Sequence, residues 1–533
     1  MKWSSDDGSR DAIEHALDAV AEPFLVLEPK EGQEAGPDCV RSGTPFDPTD
    51  IGPDRGRVRA FVPAMPLEGL GDPTFREAHG TRYACMAGAM ANGIASVELV
   101  EAMARGGMLG IFGAAGLTIE NVDAAIDRLV GSLAGTLPFG VNLIHSPHEP
   151  ALEEAIVDLY LRRGIRLVEA SAFLGLTLPV VRYRVAGIHV DPASGRIVTP
   201  NRIIAKVSRV EVATRFLSPP PERMLGELVN RAEITHEQAI LASRIPLADD
   251  LTAEADSGGH TDNRPAIVLI PTMLALRDRI AREHGYDRTP RVGAAGGIST
   301  PWSAAAALAM GASYLVTGSV NQACQEAGTS DAVRKMLADA QQADIAMAPA
   351  ADMFEMGVKV QVLKRGTMFA MRAAKLYEVY RNHGSLDEIP AAERANLEKT
   401  IFRLPLDEIW DQTREFFRRR DPAQAERGER EPKHRMALVF RWYLGQSSRW
   451  ANVGEPSRVV DYQVWCGPAM AAFNDWVRGT FLEAPENRRA VTVALNILHG
   501  AAVLARSRML ESQGVRLPAG VPRLAPRDRG DIE

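Results

Sequence analysis

The sequence predicts an α/β protein: a (β/α)8 TIM barrel followed by a large C-terminal helical extension. Three observations carry the expectation. Between Tyr83 and Val320, eight short apolar segments alternate with stretches of helical character, and that alternation favours a closed parallel barrel. The last two segments, Arg291-Val-Gly-Ala-Ala-Gly-Gly-Ile-Ser-Thr300 and Ser313-Tyr-Leu-Val-Thr-Gly-Ser-Val320, end in glycines and flank an Ala-rich helix from Pro301 to Gly311. Backbone N–H groups at the ends of the last two barrel strands are where such a fold usually holds a phosphate. Glycine there lets the backbone close around the anion. After Gln322 the alternation stops and helical patterns follow.

The elements follow in order. Residues 1–60, rich in Pro, Gly and Asp, read as a mobile or peripheral N-terminal extension with a short amphipathic helix near Asp11 to Val20. The barrel is assigned to residues 61–321, with strands at Tyr83–Ala87, Met108–Phe112, Phe139–Leu143, Arg166–Glu169, Arg202–Val207 and Leu251–Ala255 ahead of the two already named. Ser96–Arg105 is a helix stopped by Gly106-Gly107, and Thr118–Leu133 a helix with an N-cap Thr. His189 to Val198 reads as an inserted hairpin, its turn set by Asp191-Pro192 and Ser194-Gly195. Residues 322–533 form the helical substrate and partner domain, with helices at Ala332–Gln342, Met353–Arg381, Ala391–Lys399, Leu406–Arg419, Ala469–Phe481 and Ala490–Met509. The charged, Pro-containing stretch Arg418 to Arg435 reads as a solvated linker.

Composition bounds the function. A chain of 533 residues that is 46% hydrophobic and 24% charged has room for two or three domains. Its net charge of -7 argues against nucleic acid as a partner. Cys39, Cys85, Cys324 and Cys466 are far apart, without metal or disulfide spacing, which suits a reduced cytosol. The first residues lack the apolar core of a signal peptide, and no apolar run reads as long enough to cross a bilayer. A cytoplasmic protein without a membrane partner is the expectation.

Together the strand ends form a set: Cys85-Met-Ala-Gly88, Pro138-Phe-Gly-Val-Asn-Leu143, Arg202-Ile-Ile-Ala-Lys-Val207, Glu254-Ala-Asp-Ser-Gly-Gly-His260, Gly296-Gly297-Ile298 and Thr317-Gly-Ser-Val320. This order, over roughly Tyr83 to Asn321, resembles the nitronate monooxygenase (2-nitropropane dioxygenase-like) superfamily of FMN-dependent barrels. Ile203-Ile-Ala-Lys-Val-Ser-Arg209, the inserted hairpin and the extension with Phe354-Glu-Met-Gly357 and Leu444-Gly-Gln-Ser-Ser-Arg-Trp450 are similar to the PfaD-type trans-acting enoyl reductases of polyunsaturated fatty acid and polyketide synthases. The resemblance implies FMN as cofactor, NAD(P)H as reductant, and a 2-enoyl group on an acyl carrier protein domain as substrate.

Within that frame, Met86, Ala87 and Gly88 would lie against the flavin ring. Asn142 offers a donor and an acceptor to its pyrimidine edge or ribityl chain. Lys206 would neutralise charge collecting near N1–C2=O on reduction. Ser257, Gly258 and Gly259 precede His260 in the loop expected to border the flavin. Gly296, Gly297, Ile298, Thr317, Gly318 and Ser319 would hold the phosphate, although the superfamily's usual Gly-Thr-Arg-Phe is here Gly-Ser-Val-Asn, without the arginine. The resemblance places His260 on the substrate side as proton donor or thioester-polarising group; a loop histidine that caps a helix is the bland alternative. The competing functions are a nitronate monooxygenase-type oxidase and a non-catalytic synthase docking module.

Other features read more simply. Gly110-Ile-Phe-Gly-Ala-Ala-Gly116 lacks the dinucleotide spacing and suits tight packing. His145 and His148 are loop histidines rather than metal ligands, so no metal is expected. Glu169 is a strand-end acid inside the mouth or a satisfied core acid. Met353, Met356, Met368 and Met371 read as core. The basic residues Arg418, Arg419, Arg420, Arg427, Arg430, Lys433 and Arg435 could meet an acidic carrier, and apolar helices in the extension make a homodimer reasonable.

Overall fold

The computed structural model describes residues 7–27, 39–42, 58–133, 135–147, 149–259 and 261–532. Eight parallel strands close into a barrel: β1 (Cys85–Ala87), β2 (Leu109–Phe112), β3 (Gly140–Ile144), β4 (Leu167–Ser171), β5 (Arg202–Val207), β6 (Asp250–Glu254), β7 (Arg291–Ala295) and β8 (Leu315–Thr317). Each pairs with the next, and β8 pairs with β1 through Leu315 opposite Cys85. The hairpin before β5 is present, with His189 opposite Val198.

Because side chains alternate along a strand, every second residue faces the barrel axis. Met86, Leu109, Ile111, Leu167, Ile204, Ala295 and Val316 form a buried cluster of their own with Phe75 and Tyr314. Gly293 makes room for the Tyr314 ring, since a Cβ there would lie 2.2 Å from it. The N-terminal end of the barrel is plugged by the helix Pro73–His79, whose Phe75 stacks on Tyr314 at 4.3 Å. Asp250 at this end takes a 2.8 Å contact from His79 Nε2 and a 2.5 Å bond from Arg291 Nε. Burial pushes the Asp250 carboxyl up, but His79 and Arg291 outweigh it and hold the group below its ordinary value.

The extension corrects several expectations. The segment read as a helix from Met353 to Arg381 opens on a 3₁₀ turn, Phe354–Met356, continues as the strand Lys359–Leu363, which pairs antiparallel with Ile345–Pro349, and becomes α-helical only at Phe369–Asn382. Lys-Val-Gln-Val-Leu alternates with period two, and Gly357 and Gly366, at φ +72° and +74°, turn the chain on either side. Arg418 to Arg435 is not a linker: it runs through three helices, Leu406–Arg420, Pro422–Arg430 and Pro432–Val453. Of the four methionines read as core, Met353 is buried, but Met356, Met368 and Met371 are exposed.

The helix Ala490–Ser512 also overturns the expectation that no run could cross a bilayer: its mean hydropathy reaches 1.4, yet 83% of that window is buried inside the protein. It packs on the helix Pro301–Ala309, where a Cβ on Gly500 would fall 2.5 Å from Pro301 Cγ. Much of the N-terminal segment read as mobile or peripheral lies outside the described residues, but parts of it are placed. A helix, Asp7–Asp18, and a sheet with Phe24–Leu27 between Cys39–Ser42 and Val58–Val62 dock on the same long helix. Arg506 donates to the carbonyls of Ala16, Ala19 and Glu22.

Candidate active site

The C-terminal ends of the strands form the mouth, and its charged centre is Lys206 on β5. Its Nζ lies 3.4 Å from Glu169 Oε2 on β4 and 3.9 Å from Glu254 Oε1 at the end of β6. Burial works against the ammonium, but Glu169 and then Glu254 outweigh it and hold the Lys206 pKa above its ordinary value. Glu169 also accepts the Ala89 N–H at 3.0 Å, tying the loop after β1 to the same cluster. Glu254 accepts the Ser257 hydroxyl at 3.2 Å, and Ser257 Oγ accepts the Gly259 N–H at 3.3 Å. A polar chain therefore runs from the β1 loop across the mouth to the β6 loop. The next residue of that loop, His260, lies outside the described residues, as does His148.

The remaining site residues divide into open and enclosed. Lys206, Ser257, Gly258, Gly259, Gly296, Gly297, Gly318 and Ser319 keep surface, whereas Met86, Ala87, Gly88, Asn142, Ile298 and Thr317 are buried and frame the mouth. Asn142 departs from its expected role as a ligand donor. Both of its amide hydrogens are used inside the barrel, on Glu169 O at 3.0 Å and Ser171 Oγ at 2.8 Å, leaving only its oxygen. Thr317 is likewise occupied, donating to Met86 O and accepting from Asn321 Nδ2.

At the ends of β7 and β8 the backbone is bare. Gly297, at φ +78°, and Gly318 have nothing within 4 Å of where a Cβ would sit. Gly296, at φ +81°, is required for a different reason: a Cβ would fall 2.6 Å from the Ala255 carbonyl carbon. Beside them, Ser299 Oγ is buried without a hydrogen-bond partner. A cleft of about 200 Å³ is lined by Ala255, Asp256, Ala266, Gly296, Gly297, Pro468 and Ala469. These features fit a planar cofactor with one terminal phosphate: open glycine N–H groups for the anion, an unsatisfied hydroxyl beside them, and one cation at the mouth for the ring.

The extension supplies residues that sequence reasoning missed. Gln361 Nε2, on the ribbon, donates to Asp256 Oδ1 at 2.7 Å, and Gly258 of the β6 loop packs against Cys466 and Gly467. Asn92 of the β1 loop donates to Ser448 Oγ at 3.0 Å, and its carbonyl accepts from Asn452. Nothing local marks Gln361 or Ser448, because their partners lie 105 and 356 residues away. Arg420 grips Glu149 through two bonds, and Lys433 donates to the Tyr380 and His383 carbonyls, so these two members of the basic segment are tied into the structure. His145 contacts the buried Glu153 at 3.1 Å, and the described residues contain no group of three potential metal ligands. Gly110 and Gly113 serve close packing, against Val100 and the Met90 carbonyl.

Comparison with known proteins agrees with this fold. The nitronate monooxygenase family model matches residues 73–402, and the model described as "[Acyl-carrier-protein] S-malonyltransferase, inserted helical domain" matches residues 383–462. The chain is 50% identical over 471 residues to a polyunsaturated fatty acid synthase subunit of Thraustochytrium sp., covering 87% of this chain and 31% of that protein. It is 45% identical over 456 residues to the polyketide biosynthesis protein PksE of Bacillus subtilis, covering 86% of this chain and 58% of that protein. It thus spans less than two thirds of these relatives. The crystal structure of the enoyl reductase domain of MlnA, from the macrolactin cluster of Bacillus amyloliquefaciens, superposes with a TM-score of 0.79 at 40% identity, over 84% of this chain and 100% of that one. The chain belongs to the nitronate monooxygenase family, in the branch of PfaD-type trans-acting enoyl reductases of polyunsaturated fatty acid and polyketide synthases.

Proposed function

We propose that this protein is an FMN-dependent, trans-acting enoyl reductase that uses NAD(P)H to saturate the 2-enoyl double bond of acyl chains carried on an acyl carrier protein. The observation that carries this reading is the Lys206 ammonium, set between Glu169 and Glu254 in a mouth edged by the bare glycines of β7 and β8. The match along the full MlnA enoyl reductase domain supports it. When bound, FMN supplies hydride transfer from the nicotinamide to the β-carbon of the substrate.

The chain's own residues have separable tasks. Backbone N–H groups of Gly296, Gly297, Gly318 and Ser319 receive the phosphate, without the arginine common in the superfamily. Lys206 would set a positive charge beside the bound ring, favouring the electron density it gains on reduction. His260 is assigned delivery of the α-carbon proton, and its loop is braced by the Glu254–Ser257 and Gln361–Asp256 hydrogen bonds. The extension covers that loop and is assigned the acyl channel and the docking of the carrier.

The test is anaerobic. Reconstituted protein should hold FMN rather than FAD, be bleached by NAD(P)H, and be reoxidised by a carrier-bound enoyl group faster than by a short pantetheine mimic, because tethering raises the effective substrate concentration. Absence of flavin binding, or reoxidation that ignores the enoyl group, would refute it. The family-model match favours one second reading, a nitronate monooxygenase-type oxidase; substrate-dependent oxygen uptake without NAD(P)H would identify it.

A further inference from the structure

Two acids compete for one cation in the mouth. Glu169 and Glu254 lie 3.4 and 3.9 Å from Lys206 Nζ. If both were ionised, the cluster would keep an uncompensated negative charge inside the barrel, which is costly in low-dielectric surroundings. The two acids are not equivalent: the Glu254 side chain keeps 11% exposure and a hydroxyl partner in Ser257, whereas the Glu169 side chain keeps none. The oxygens of Glu169 also differ. Oε2 accepts from both Ala89 N–H and Lys206, while Oε1 is sealed from water with no partner. Oε1 sits 3.5 Å from where a Cβ on Gly88 would be, beneath the end of β1. An ionised carboxylate would leave charge on that stranded oxygen, whereas a hydrogen there leaves only a neutral hydroxyl, a much smaller penalty.

We propose that Glu169 is a positioning residue that works as a neutral acid: it anchors Lys206 and the β1 loop by hydrogen bonds and leaves Glu254 as the one carboxylate balancing the ammonium, so that the mouth carries no surplus negative charge toward a bound ring. The inference rests on the flavin reading for its purpose, but not for the protonation itself. Burial, the largest influence on this carboxyl, raises its pKa in spite of Lys206 and the Ala89 N–H, and the Glu254 charge pushes the same way. The charged side chains facing it are Lys206 from β5 and Glu254 from β6.

The decisive variant is Glu169→Gln. Its amide oxygen can accept from Ala89 and Lys206 as Oε2 does, and its NH2 takes the place of the acid hydroxyl. Glu169→Leu keeps comparable bulk and removes the anchor. The readouts are FMN titration of the apo-protein, thermal unfolding as a fold check, and infrared difference spectra of wild type against Glu169→Gln. The glutamine variant should bind FMN within about threefold of wild type and the leucine variant about tenfold more weakly or worse, as expected for a lost hydrogen bond to a charged group. The carbonyl stretch of a protonated carboxylic acid should be present in wild type and missing from Glu169→Gln. Lack of that band, or a glutamine variant as impaired as the leucine variant, would overturn the proposal. If wild type binds no flavin, the flavin reading fails on that result, and the infrared band still decides whether Glu169 is neutral.

Discussion

Replacing Lys206 with methionine removes one charge and keeps most of the side chain's volume. At separations of 3.4 and 3.9 Å, and an effective dielectric of about 20, Coulomb's law gives about 4–5 kcal/mol for each contact with a fully charged partner. The desolvation of an ammonium whose side chain is only 13% exposed offsets much of this. A neutral Glu169 reduces its share further, to a hydrogen bond with a charged donor, about 1.5–3 kcal/mol. Lys206→Met should therefore destabilise the apo-protein by about 2–3 kcal/mol, less than the roughly 3–5 kcal/mol usual when a buried ion pair is broken outright. With Glu169 neutral, the Glu254 charge and the hydrogen bond to Glu169 still favour the ammonium, so the contribution is complete below the ordinary lysine range and is lost only as pH rises through the folded-state value. The difference between wild type and Lys206→Met should therefore stay constant through neutral pH and shrink only in strong base. The assays are thermal and denaturant unfolding without flavin, then FMN titration and the rate of flavin reduction by NAD(P)H. FMN affinity or reduction rate should fall by about tenfold or more, because the ring loses its cationic neighbour. A variant with both flavin parameters within twofold of wild type would show that Lys206 is a structural pair partner and refute its assignment to the cofactor.

Three further outcomes are expected. His260→Ala should keep flavin content and reduction by NAD(P)H but slow reoxidation by the enoyl substrate by about 10²–10⁴-fold; an unchanged rate would mean solvent supplies the proton. Gly500→Val should destabilise the protein by about 1–3 kcal/mol through overpacking, since even a Cβ falls 2.5 Å from Pro301 Cγ; an unshifted melting temperature would show that the two helices separate at little cost. Asp250→Asn should destabilise at neutral pH, and because the native Asp250 pKa is depressed below 3.8, the gap from wild type should close as pH falls through that lower value; a gap that persists in acid would mean the barrel plug depends on shape rather than on the His79–Asp250–Arg291 charges.

The barrel was legible because its signals are local. Each strand is a short apolar run, and the Gly-Gly at 296–297 and Gly-Ser at 318–319 mark bare backbone wherever the chain folds. Lys206 and Glu169 were readable as strand-end groups, since period-two alternation assigns them to the barrel interior. Their pairing through one carboxylate oxygen was not, because 37 residues separate them and only barrel closure brings β4 beside β5. Asn142 shows the converse: its amide looks available in sequence, but the neighbouring strand consumes both donors.

The extension was the least legible part. Period-two alternation in Lys359–Leu363 is overridden by the helical pattern around it, and the charged run from Arg418 to Arg435 reads as solvated chain although Arg420 and Lys433 have fixed partners. By itself, then, the sequence determined a glycine-edged barrel with a cation at its mouth, because backbone conformation and strand periodicity are properties of adjacent residues. Only tertiary structure decided that Gln361, Ser448 and Gly467 reach back over the β1 and β6 loops, and that two acids share Lys206, because burial and hydrogen bonding between residues far apart in the chain come into being only when the chain has closed.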